Sequence, residues 1–193
     1  MELFKMEKSM CKIETRKITG EKGTGSGFFC KLSDENIPFK CALFTNNHVL
    51  NESNIDIGKT IKLEYLEMQK YLFNKSYNPV KKEIIITEKR KFFTNKNLDY
   101  TCIELFESDG IKDFFEIDPV LLKYSNEILK NNDIFILQYP NGNELSFSSG
   151  IIKDIKGNIF IHTASTEGGS SGSPIIILLE YILVEKKMKK KKI

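Results

Sequence analysis

Residues 165–174 read STEGGSSGSP, with four serines among ten residues. Two nucleophile patterns fit this stretch. G-x-S-x-G over residues 168–172 nominates Ser170, and G-x-S-G-x-P over residues 169–174 nominates Ser171. The first pattern works as a strand-to-helix elbow, so a helix must follow the serine. Here Pro174 is followed by Ile175, Ile176 and Ile177, a β-branched run that predicts a strand. The elbow also puts its histidine after the serine, and no histidine follows residue 162. The second pattern suits the flanks. A glycine at 169 lets backbone N–H groups turn toward a developing oxyanion, and Gly172 clears side-chain bulk beside Ser171. That pattern makes Ser171 the attacking group and the N–H groups of Gly169 and Ser171 an oxyanion hole.

A serine hydroxyl needs a base, and the base needs a buried carboxylate to orient it. The chain has two histidines. His48 lies in FTNNHVL, where a β run ends in a polar turn. His162 lies in IFIHTAS, alternating within a predicted strand, a setting that suits a structural histidine or a pocket wall. Asp99, in NLDYTCIEL, directly precedes an apolar strand.

Around these residues, short β-type runs recur between turn residues. They are 11–18, 25–32, 40–45, 60–66, 83–87 and 100–106, then 133–139, 144–152, 158–163 and 174–179. They are rich in Ile, Phe, Val, Tyr and Thr, and several alternate in polarity. Helical periodicity is scarce, with candidates only at residues 48–51 and 111–129. The pattern predicts an all-β chain of two closed or nearly closed antiparallel sheets. Lobe one spans about residues 1–110 and lobe two about 130–184, with the link near 107–129.

Bulk composition agrees with one folded unit. The 193 residues are 40% hydrophobic and 28% charged, as in a globular protein. The net charge of +3 is misleading, because residues 185–193 hold six of the 29 basic and one of the 26 acidic residues. Without that tail the body is near −2, which predicts no nucleic-acid-binding face. No N-terminal apolar segment or membrane-length run is present, so the expectation is an intracellular, cytoplasmic chain with no membrane partner. Cys11, Cys30, Cys41 and Cys102 are widely spaced and predicted to be reduced thiols. No C-x-x-C pair or His-rich cluster suggests a metal, and no cofactor is expected.

Four segments together resemble the trypsin-like serine peptidases of the chymotrypsin fold: GTGSGFF (23–29), TNNHVL (45–50), LDYTCIEL (98–105) and TEGGSSGSPII (166–176). They stand in the family's order of His, Asp and Ser. The resemblance implies two packed antiparallel β-barrels and endopeptidase activity on protein or peptide substrates through an acyl-enzyme. It makes His48 the general base, Asp99 its orienter and Ser171 the nucleophile. GTGSGFF becomes the start of a strand beside the cleft. It is not a phosphate loop, since a dinucleotide motif would need glycine at Phe28. Ser165, six residues before Ser171, stands where relatives have the pocket base, and His162 is a further candidate for substrate binding.

Two departures stand out. Ser170 occupies the place of an aspartate that pairs with a freed N-terminus in zymogen-activated relatives, so no such activation is expected. After Pro174–Leu179 only EYILVEKKMKKKKI remains, of which Tyr181–Val184 could supply part of one strand. The expectation is therefore an incomplete second barrel with weak turnover on peptides, or a peptide-binding homologue without turnover.

Overall fold

The structure is a computed structural model that describes residues 3–16, 20, 22–70, 75–117 and 126–177. The Lys-rich tail, Tyr181–Val184 and part of the 111–129 segment lie outside the described residues. The chain is mostly β. A helix α1 (Leu3–Lys8), unanticipated in the sequence, precedes strands β1 (Met10–Arg16), β2 (Lys22–Lys31), β3 (Cys41–Thr45), β4 (Thr60–Lys70) and β5 (Lys75–Ile85). β6 (Phe92–Asn95), β7 (Tyr100–Glu104) and β8 (Phe115–Glu116) follow. A short helix α2 (Asn126–Leu129) then leads to β9 (Asp133–Gln138), β10 (Ser146–Lys156), β11 (Ile159–His162) and β12 (Ile175–Ile177).

The strands form two sheets. The first runs β5-β4-β1-β2-β3-β7-β6, with β8 against β2, and the second runs β11-β10-β9-β12. Every pairing is antiparallel except β2 with β8. The described pairings close neither sheet into a complete barrel, and the second has the fewer strands among the described residues. β6 and β8 fall between the runs legible in the sequence. Phe92 and Phe93 are exposed, so β6 lacks the buried face that produces alternation.

Each sheet buries its own apolar face. Ile13, Phe29, Leu43, Ile61, Leu63, Ile84, Ile86 and Ile103 fill the first core, and Ile134, Ile136, Ile152 and Ala164 the second. A third cluster joins them: Met10, Cys30 and Phe115 from the first sheet against Leu137 and Tyr139 from the second. Phe28 stacks on Phe44 at 5.4 Å and meets Phe115 edge-on at 5.9 Å, extending that seam. Each such apolar side chain contributes roughly 1.5–3 kcal/mol when fully buried.

One ionic cluster braces the far end of the first sheet. The Arg90 guanidinium donates to both carboxylate oxygens of Asp109, at 2.8 and 2.9 Å, and to the carbonyls of Ile85 and Glu104. Arg90 is 6% and Asp109 7% exposed, so removing one partner strands a buried charge. Asp109→Ala should lower unfolding free energy in urea by about 3–5 kcal/mol, against about 1 kcal/mol or less for the exposed Lys62–Glu83 pair.

The four cysteines are unpaired. Burial holds the Cys30 thiol at about 11 and the Cys102 thiol at about 12, and pushes Cys11 up further still. Iodoacetamide at pH 8 should therefore leave these three unmodified in the native protein and alkylate them in denaturant, as read by mass spectrometry.

Candidate active site

His48 sits just past β3. The N–H groups of Val49 and Leu50 both donate to the Asn46 carbonyl at 3.1 Å, closing one tight turn. Val49, Leu50 and Asn47 face inward and are buried, which leaves His48 pointing out. Asn47 Nδ2 donates to Thr94 Oγ1 at 2.7 Å, tying this turn to β6.

Asp99 closes the turn between β6 and β7. It adopts φ of +50°, a left-handed conformation that aspartate tolerates better than most residues. Leu98 N–H donates to Asn95 Oδ1 at 2.9 Å and holds the turn. The Asp99 carboxylate then spans His48. Oδ1 accepts from the His48 backbone N–H at 3.0 Å, and Oδ2 lies 2.7 Å from His48 Nδ1. Asn46 Nδ2 donates to the Asp99 carbonyl at 2.7 Å. Backbone and ring of His48 are thus oriented by one side chain. Asp99 is not buried, however: 43% of its side chain is exposed, and 57% of that of His48.

The serine-rich loop runs from β11 to β12, and a strand follows it, not a helix. Its two central serines differ. Ser170 is 6% exposed and its hydroxyl accepts from Glu167 N–H at 3.2 Å within the loop. Ser171 is only partly buried; both serines line a cavity of about 200 Å³, with Asn46, Ile136, His162 and Thr166 among its other walls. Gly169 and Gly172 have φ of +85° and +90°. A Cβ at Gly172 would stand 2.0 Å from the Ser26 carbonyl oxygen, so the loop backbone packs directly on β2. The loop carbonyls are spoken for. Gly168 O accepts from Asn141 N–H, and Ser170 O from Ser173 N–H at 3.1 Å. In a planar trans peptide the N–H points opposite the C=O. These bonds therefore turn the N–H groups of Gly169 and Ser171 the other way, and among the described residues neither has a protein acceptor.

His48 and Asp99 are in direct contact, whereas no hydrogen bond joins the His48 ring to Ser171 among the described residues. Asn46 connects the two halves, lining the Ser171 cavity while bonding Asp99. His162 is in that cavity wall, with its Nδ1 buried and without a hydrogen-bond partner among the described residues. Ser165 is exposed and outside the wall. Its carbonyl accepts from Gln138 Nε2 at 3.1 Å. Asn46, Asn141 and Ser26 carry no catalytic signature of their own, and only their places within TNNHVL, before β10 and within GTGSGFF mark them.

Residues 25–177 match the family described as trypsin-like peptidase domain. No curated protein matches in sequence. Among solved structures, Deg5 is similar at TM-score 0.59 and 17% identity, covering 90% of this chain and 76% of that one. The serine endoprotease from Yersinia pestis is similar at TM-score 0.56 and 15% identity, covering 97% and 64%. A protease from M. tuberculosis in its active form is similar at TM-score 0.51 and 17% identity, covering 89% and 66%. This chain thus spans about two thirds to three quarters of their lengths, and at these identities the likeness carries the fold alone. The family match covers most of the chain and every segment of the site, and the chain belongs to the trypsin-like peptidases.

Proposed function

We propose that this chain is a serine endopeptidase acting on protein or peptide substrates, with Ser171 as nucleophile, His48 as general base and Asp99 as its orienter. The observation that carries this reading is the 2.7 Å contact between Asp99 Oδ2 and His48 Nδ1. With Nδ1–H donating to the carboxylate, Nε2 is left as the proton acceptor. The proton of Ser171 Oγ passes to Nε2 as Oγ bonds to the substrate carbonyl carbon. The oxygen of that carbonyl takes the electron pair and is met by the N–H groups of Gly169 and Ser171. His48 then gives the proton to the leaving amine, the C–N bond breaks, and water hydrolyses the acyl ester by the same route.

The cavity beside Ser171 receives one substrate side chain. Its 200 Å³ corresponds to roughly six or seven waters. His162 forms part of its wall, and Ser165 lies outside it. A second reading, a peptide-binding module without turnover, is favoured by the open spacing between His48 and Ser171. Catalytic contacts often tighten only when substrate is bound, which keeps hydrolysis the better reading.

Hydrolysis of a fluorogenic peptide library tests the assignment. Ser171→Ala and His48→Ala should abolish turnover. Asp99→Asn should lower kcat by roughly 10⁴, through the wrong histidine tautomer. Ser170→Ala, at a hydroxyl used inside the loop, should keep activity within about tenfold. A dead Ser170→Ala with an active Ser171→Ala would reverse the choice of nucleophile, and peptide binding without turnover in the unaltered chain would favour the binding module.

A further inference from the structure

Ser26 stands in the middle of GTGSGFF, and resting on the reading above, we propose that it is the positioning residue for the oxyanion hole. It touches no reacting atom. It is 0% exposed, and its polar groups are bonded to four different residues. Its N–H donates to the Ser171 carbonyl at 2.7 Å. Its hydroxyl donates to the Gly169 carbonyl at 2.8 Å and accepts from the Tyr139 N–H at 3.0 Å. Its own carbonyl accepts from Thr45 Oγ1 at 2.8 Å. The two residues whose N–H groups form the oxyanion hole, Gly169 and Ser171, thus both hand their carbonyls to Ser26.

The sheet leaves room for this. β3 pairs with β2 only from Phe28 to Lys31, so the edge of β2 at Ser26 is open, and the nucleophile loop occupies it. Gly169, at φ of +85°, has little conformational preference of its own to hold that geometry. The bond on its carbonyl supplies the restraint, while the Ser26 backbone bond restrains Ser171 two residues on. Through Tyr139 the same hydroxyl also fixes the start of the turn at Pro140–Gly142, whose Asn141 N–H holds the Gly168 carbonyl. The Ser26 hydroxyl therefore fixes the peptide plane after Gly169 directly and, through Tyr139, braces the turn whose Asn141 N–H holds the plane before it. Oxyanion donors are effective only when preorganised at the place where charge develops, which is the contribution assigned to Ser26.

The test compares Ser26→Ala with Thr45→Val. Ser26→Ala removes the two hydroxyl bonds, to the Gly169 carbonyl and from the Tyr139 N–H, and keeps the backbone bond to the Ser171 carbonyl. Thr45→Val removes one buried bond at the same seam and leaves the Gly169 carbonyl bonded. Hydrolysis of p-nitrophenyl acetate reads turnover, thermal unfolding reads stability, and backbone ¹⁵N relaxation reads order at Gly169 and Ser171. Ser26→Ala should lower kcat by about 10- to 100-fold with KM within about twofold. That is less than the 10²–10³ for outright loss of a donor. Its order parameter at Gly169 should fall from about 0.85 toward 0.6 or below, with a smaller fall at Ser171, whose carbonyl the Ser26 N–H still holds. Thr45→Val should show a comparable loss of melting temperature with kcat and both order parameters unchanged. Should Ser26→Ala fail to fold, Ser26→Cys, similar in size with a weak S–H donor, carries the same comparison. Equal kcat losses in the two variants, or unchanged order at Gly169 in Ser26→Ala, would overturn the proposal. If the unaltered protein releases no p-nitrophenolate, hydrolase function falls instead, and the relaxation data still decide the role of Ser26.

Discussion

A site divided between two sheets depends on how the sheets are locked together, and here the lock is the bond from Ser26 N–H to the Ser171 carbonyl. Apolar packing through Met10, Phe28, Phe115, Leu137 and Ile176 brings the sheets into contact. Such burial is non-directional and tolerates a shift of an ångström. Hydrogen bonds between β2 and the loop do not. They fix the loop along the β2 edge at spacings of 2.7 and 2.8 Å, and the missing Cβ at Gly172 lets the two backbones come that close.

The other half of the site is set by short-range chain geometry. β3 and β7 are paired neighbours in one sheet, so the turn leaving β3 and the turn entering β7 emerge at the same edge. That topology puts His48 beside Asp99 across 51 residues of sequence. The side chains of Asn46 and Asn47 then bond Asp99 and Thr94 and hold both turns. The carboxylate remains partly exposed, so its hold on His48 rests on two hydrogen bonds and a constrained backbone, with little help from a low dielectric. Substrate covering the cleft would strengthen it.

The sheets were legible in the sequence wherever strands have a buried face. β2, β3, β7 and β9 carry runs of inward residues and lie within a few residues of their expected bounds. β6 and β8 were not, because one is exposed and the other only two residues long. As candidates, His48, Asp99 and Ser171 stand out through residue type and order. The bonds that hold them do not, since Ser26 in a glycine-rich strand reads as a turn residue or a spacer. Three of its four partners lie more than a hundred residues away, and only tertiary pairing reveals them. The positions of Ser165 and His162 divide in the same way. Sequence offset points to Ser165, whereas the folded chain turns the cavity wall toward His162.

Where the loop leaves its most reactive oxygen can be read chemically. Treating the unaltered protein with a fluorophosphonate, which phosphonylates only a serine activated by its surroundings, and mapping the adduct by tandem mass spectrometry locates that oxygen. One adduct is expected, on Ser171, absent after His48→Ala. An adduct on Ser170, or labelling of the chain that persists without His48, would contradict the nucleophile and the base together.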